Sequence, residues 1–203
     1  MARTRPGLTR DAVLAAALAI IDDGGLDACT MRAVASALGV EAMSLYWHVE
    51  NKDALLDGVV ELILMEVVSE REELTDWRDR LGTFAYVFRN VLLRHRNAVP
   101  LLANRRLGAY TSAGRMTEAG IASLEAAGFD RRTAIRAART VSRYVVGFTL
   151  AEAGPRRDPP PPDPDAPALG DLLEAVARED PKELFAFGLE TLLDGLEARL
   201  TAV

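Results

Sequence analysis

Apolar residues recur along this chain at the three-to-four-residue spacing of helices, and nowhere in the strict alternation of strands. From Thr9, residues Leu14, Ala17, Leu18 and Ile21 form one amphipathic stripe, with Thr9 as cap, Asp11 in the first turn and a stop at Gly24-Gly25. A short segment after Thr30 turns Val34, Ala35 and Leu38 inward and stops at Gly39. A second short segment after Val40 turns Leu45 inward. Thr30 is a good N-cap, Gly39 supplies a left-handed residue, and Leu38, Val40, Leu45 and Val49 anchor the pair on a neighbouring helix. The spacing predicts a helix-turn-helix whose second helix is about two turns long. With Leu45 turned in, Ala42, Met43, Tyr46 and Trp47 fall on its outward face, and an open aromatic pair wants a partner.

Asn51 caps a long segment, Lys52 to Glu73, with Leu55, Leu56, Val59, Leu62, Ile63 and Val67 at helical spacing, placed to connect the head to the rest. Trp77 to His95 carries Leu81, Phe84, Ala85, Phe88, Val91 and Leu92, and a shorter helix, Leu101 to Leu107, is expected after a break at Pro100. Ala113 to Ala127 follows, ending at Gly128, and Asp130 then caps a helix to Ala153. GPRRDPPPPDPDAP, residues 154–167, reads as an extended loop, because each proline removes a donor and biases its predecessor away from helical angles. A short helix is expected around Leu169 to Ala177. Asp180-Pro181-Lys182-Glu183 then opens the last helix with a cap, a first-turn proline and a capping-box glutamate. Its apolar stripe, Phe185 to Leu200, is wide enough to bury on more than one side, and Gly188 and Gly195 admit a close neighbour. The expected fold class is all-α.

Composition agrees. The 203 residues are 49% hydrophobic, enough for a sizeable core, and only 6% aromatic, with Ala, Leu, Arg and Glu favouring helix. The single cysteine, Cys29, excludes an internal disulfide framework and suggests a reducing compartment. No apolar run reaches the roughly 18 residues of a membrane span, so no membrane partner and a cytoplasmic location are expected. Net charge is −6, which by itself argues against a polyanionic partner. Its distribution argues otherwise: Arg3, Arg5 and Arg10 form a basic arm, and Arg32 and Lys52 flank the outward aromatic face.

LYWHVENKDALLDG, together with the preceding TMRAVASALGV, resembles the DNA-binding domain of the TetR family of bacterial transcriptional repressors, in its tetracycline-repressor branch. WRDRLGTFAYVFRNVLLRHRN and GFTLAEAG are similar to the core of that branch's regulatory domain. The resemblance implies three parts: residues 1–51, a helix-turn-helix DNA-binding domain with a basic arm; 52–73, a connecting helix; and 74–203, a ligand-binding and dimerisation domain containing the loop 154–167. It implies that Arg32 reaches a base edge, while Thr30, Tyr46, Trp47, His48 and Lys52 hold phosphates or brace the groove. Ser44 belongs to the same DNA-facing set. Ala42 and Met43 stand where the relatives have a glutamine and a proline at base edges, so only apolar contact is available there and the operator should differ.

The resemblance also implies a homodimer paired through the helices 130–153 and 181–200, with Val141, Val145, Leu189, Leu192, Leu193 and Leu196 as the expected contact residues. Leu102, Arg105 and Ala151 stand where the relatives place the histidine, threonine and glutamate of a magnesium-drug site. None suits a hard cation, so no metal and no cofactor are expected. An apolar cavity remains, expected from Phe84, Phe88, Leu92, Leu102, Met116, Leu124, Tyr144 and Phe148, with Asn104, Arg105 and Arg143 as orienting polar groups. The expected effector is small, apolar and metal-free, with an acceptor or negative charge for an arginine.

Other readings compete. The aromatics around Leu45 could be a plain packing cluster, about half of the cavity residues could be ordinary core, and His95 could be a satisfied core histidine. An enzyme lacks support, since no nucleophile–base pair, phosphate loop or metal-ligand cluster is readable. The alternative to a ligand-responsive repressor of operator DNA is a constitutive or architectural helix-turn-helix protein without small-molecule input.

Overall fold

The computed structural model describes residues 8–69, 74–105, 111–154 and 167–201, and these form helices with no strand among them. The head comprises α1 (Arg10–Gly24), α2 (Met31–Leu38) and α3 (Ala42–Leu45). Thr9 Oγ1 accepts from the Ala12 N–H at 3.2 Å, and the predicted stripe of α1 is buried. Thr30 Oγ1 accepts from the Ala33 N–H at 3.1 Å to start α2. Gly39 ends it at φ 67°, and the Val40 N–H returns to the Ala35 carbonyl at 3.0 Å, a closure that requires a residue tolerant of left-handed angles. The α-helical part of α3 is only four residues, shorter than predicted. The chain continues as a turn, in which the His48 and Val49 N–H groups both donate to the Leu45 carbonyl.

Asn51 Oδ1 accepts from the Ala54 N–H at 2.9 Å and opens the connector α4 (Lys52–Ser69). The body follows: α5 (Trp77–Arg94), a 3-10 turn (Arg96–Ala98), α6 (Val99–Ala103), α7 (Thr111–Ala126), α8 (Arg131–Ala153), α9 (Pro167–Arg178) and α10 (Pro181–Thr201). Pro100 does not break the chain before α6. It sits in the first turn, where its missing N–H costs nothing. Leu107 and most of the loop 154–167 lie outside the described residues, as do Arg3 and Arg5 of the arm.

The body is held at one end by an aromatic cluster centred on Phe185. Its ring stacks on Tyr144 at 5.3 Å and meets Phe148 and Tyr86 edge-on at 5.2 and 5.5 Å. The Tyr144 hydroxyl donates to the Phe185 carbonyl at 2.8 Å. Gly188 makes this approach possible, because a Cβ there would lie 2.8 Å from Tyr144 Cζ. Gly195, by contrast, faces open space. Arg89 lies over the Phe185 ring at 4.9 Å and pairs with Glu152 through two hydrogen bonds of 2.9 and 2.6 Å, tying α5 to α8.

Four residues expected to meet a partner chain, Val141, Val145, Leu189 and Leu193, are instead buried within the protomer, where α8 and α10 pack on each other and on α5. A side chain already dry has no area left to remove from water in a dimer. Leu192 and Leu196 are half-buried and line an open groove between α8 and α10, while Leu184 and Phe187 project from α10, Phe187 with 72% of its surface exposed.

The Arg89–Glu152 pair is nearly dry, so removing one partner strands a charge. Glu152→Ala is expected to cost roughly 3–5 kcal/mol in urea or thermal unfolding. The double replacement Arg89→Met with Glu152→Leu should recover much of that loss.

Candidate nucleic-acid interface and regulatory core

Leu45 is fully buried against the head, and this fixes the rotation of the segment around it. Trp47 is left 89% exposed, Met43 73% and Tyr46 47%, with Ala42, Ser44 and His48 half-buried beside them. Arg32, Thr30 and Lys52 are exposed on the adjoining helix ends. The oxygen of Thr30 is engaged in capping α2, so it is available to a phosphate only as a shared acceptor-donor hydroxyl. None of the nine residues named for DNA contact is sealed inside: Met43, Tyr46 and Trp47 project from the α3 turn, and the cations Arg32 and Lys52 are exposed. Cys29 is buried, and burial raises its thiol pKa while Lys52 opposes the shift.

The residues named for a cavity separate into three groups. Phe84, Met116 and Leu124 line a real cavity between α5, α7 and α8, of about 40 Å³. Phe88, Leu92 and Leu102 are fully buried core, and Tyr144 and Phe148 belong to the Phe185 cluster. The arginines are elsewhere. Arg143 is exposed, and Arg105 reaches back to Asp57 of α4 at 2.6 Å. The arginine that does line the cavity is Arg80, beside Trp77, and sequence reasoning did not single out either. Trp77 was legible only as an apolar helix position; Arg80, one turn on, looked like any solvent-facing cation.

Residues 13–59 match the family described as "Bacterial regulatory proteins, tetR family", and residues 71–200 match "Tetracyclin repressor-like, C-terminal domain". The chain belongs to the TetR family. It is a transcriptional regulator with a DNA-binding helix-turn-helix. It is 34% identical to the tetracycline repressor protein class A from transposon 1721 of Escherichia coli, over 97% of this chain and 94% of that protein. It superposes on a TetR variant of Acinetobacter baumannii AYE in complex with minocycline at TM-score 0.75, with 32% identity over 95% of this chain and 98% of the other. BioQ, solved with its double-stranded DNA operator, matches at TM-score 0.70 with 32% identity, over 94% and 99% of the two chains.

In this TetR-family chain the head and body also meet through a polar junction. His95, at the end of α5, lies between Asp22 of α1 (Nδ1 to Oδ2, 2.9 Å) and Glu66 of α4 (Nε2 to Oε1, 3.1 Å). Both ring nitrogens thus lie within hydrogen-bond distance of a carboxylate oxygen. Arg94 donates to the other Glu66 oxygen at 2.9 Å, and the Asn97 amide donates to the Asp22 carbonyl at 2.9 Å. The core-histidine reading of His95 thus gains content: it is satisfied by one residue from the head and one from the connector, 73 and 29 positions away in sequence.

Burial alone would raise the Glu66 carboxyl pKa, but the Arg94 hydrogen bond and the charge and hydrogen bond of His95 outweigh it, and the net shift is downward. A carboxylate held below its unfolded value stabilises the fold fully above that unfolded value, and the contribution disappears as pH falls through the lowered one. Acid titration of stability should therefore lose a component below about pH 4.3, and Glu66→Gln should remove that component while lowering stability at neutral pH.

Proposed function

We propose that this protein is a homodimeric, ligand-responsive repressor that binds a palindromic operator and is released from it by a small molecule. The observation that carries the DNA part is the exposure of Trp47 and Tyr46 beside the buried Leu45. Such a surface is costly to leave in water and fits a major groove, where Met43 and Ala42 suit a thymine methyl and Arg32 a guanine edge. The operator complex of BioQ supports this use of the shared head.

Two heads read two half-sites about 34 Å apart only if a two-fold partner holds them. The surface that supports pairing is the open side of α8 and α10. Leu192 and Leu196 line its groove and Phe187 projects beside it, in place of the four residues buried in the protomer. The relative in complex with minocycline supports small-molecule input to this fold. Here the effector must differ from a magnesium-drug chelate. Leu102 is buried core, Arg105 is tied to Asp57, and Ala151 offers no ligand atom. An effector that prefers one body conformation shifts α4 and so the heads; a coupling of about 1 to 3 kcal/mol changes operator affinity roughly 5- to 150-fold.

Selection of binding sites from random duplex DNA, followed by mobility-shift titration, tests this reading. A palindrome is expected, with Trp47→Ala and Tyr46→Ala weakening binding while changing stability by only about 0.5 kcal/mol. Arg32→Ala should cost roughly 1–3 kcal/mol of affinity and relax one base position. Phe187→Glu combined with Leu196→Glu should give a monomer by light scattering and lose the palindrome. Absence of any selected sequence would overturn the proposal, and selection of a site that no small molecule releases would favour the constitutive alternative.

A further inference from the structure

The cavity between α5 and α7 has apolar walls, among them Trp77, Phe84, Met116 and Leu124, and one charged group, Arg80. Arg80 differs from the other arginines of the body that are not exposed, Arg78, Arg89 and Arg105. Arg78 reaches Glu190, Asp194 and Glu197, Arg89 reaches Glu152, and Arg105 reaches Asp57. Arg80 has no such acid among the described residues. One of its terminal nitrogens donates to the Leu74 carbonyl, and its Nε–H is buried with no hydrogen-bond partner. A dry, unmet donor on a cation is costly, and an acceptor brought to it would recover that cost.

The position of Arg80 shows where such an acceptor could come from. Outside the cavity, between the start of α5 and α7, an open groove of about 700 Å³ shares Trp77, Arg80 and Ser123 with it. The inner space alone holds a few waters, whereas cavity and groove together reach the size of small-molecule sites. Arg80 stands at their shared wall with an indole beside it. Among the described residues, the one acid lining either space, Asp76, accepts from the Arg78 and Asp79 N–H groups as the cap of α5, which compensates its charge. On the cavity side, the Ser142 hydroxyl donates to the Ala138 carbonyl at 2.9 Å, so toward a ligand it offers lone pairs.

We propose that Arg80 is the specificity-determining residue of the effector site and that the effector is an aromatic carboxylate. Its ring lies along Trp77 between groove and cavity, and its carboxylate accepts from Arg80 Nε. This inference rests on the ligand-responsive reading above but assigns it a chemistry and a residue that reading does not require. A planar acid is favoured over a neutral aromatic because only the acid supplies a charged acceptor to the guanidinium. It is favoured over a phosphate or sugar because Arg80 is the charged donor on these walls and most of the remaining lining is apolar.

The test uses the full-length protein and isothermal titration calorimetry with a series of acids, benzoate, 2-naphthoate and anthracene-2-carboxylate, each paired with its primary amide. At least one acid should bind more tightly than its amide. Arg80→Gln should weaken that acid roughly 10- to 100-fold and leave the amide unchanged, whereas Arg143→Gln, altering an exposed arginine, should change neither. Thermal unfolding of Arg80→Gln checks that it folds, and Arg80→Lys, which keeps the charge but lacks Nε, should retain only part of the preference. The inference is overturned if no acid is preferred over its amide, or if the preference survives in Arg80→Gln. Operator release is measured separately. Acids that bind through Arg80 without releasing DNA would sustain this inference and sink the ligand-responsive reading. Neutral molecules that release DNA equally from wild type and Arg80→Gln would do the reverse.

Discussion

Helix α4 is buried from both sides, and the geometry of the whole chain depends on it. Leu55, Val59, Val60, Ile63, Leu64 and Val67 are all dry, which on a helix leaves little of the circumference for water. One side packs on α1, where Gly58 admits the side chain of Leu14; other faces pack on α5 and α7 of the body. A helix shared between two cores is not a linker. Its orientation is set by both, so the head cannot turn without disturbing the packing of the body. Polar contacts reinforce this at each end: Asp57 to Arg105 near the head, Glu66 to Arg94 and His95 farther along.

At the other extreme, the DNA-facing segment is too short to hold itself. Four α-helical residues make too few hydrogen bonds to be stable alone. Leu45 and Val49 are its inward anchors, both buried in the head, and α2 with its Thr30 cap and left-handed Gly39 fixes the angle at which it leaves. The surrounding large side chains are then directed outward by default. Exposure of Trp47 is a geometric consequence of burying Leu45 on so short a turn, and the head spends stability elsewhere to present it.

What could be read from the sequence divides along the range of the interaction. Thr9, Thr30, Asn51, Asp130 and Asp180 cap helices where expected, because capping is decided within three residues. The inward stripes of α1 and α5 followed from periodicity alone. Periodicity says that Val141 and Leu189 are buried but not by what, so apolar faces that close the protomer were assigned to a partner chain. The same limit misplaced the cavity. Phe88 and Phe84 lie one turn apart on α5, yet one is core and the other lines a space that depends on where α7 sits. Arg89–Glu152 and His95–Asp22 join residues more than sixty positions apart and leave no local trace.

The pairing of arginines gives the body its internal logic. On the α6 side, Arg105 faces α4 and pairs with Asp57 at 2.6 Å. This ion pair ties the α6 end of the body to the connector. The α5–α7 cavity shares Trp77, Arg80 and Ser123 with an outer groove, Arg80 has no acid partner among the described residues, and α7 packs on α4. Widening the gap between Trp77 and Met116 would press α7 toward the connector while the Asp57 and Glu66 contacts hold its two ends. Because α4 is packed into head and body alike, a shift of α7 against it would disturb the seat of the head as well.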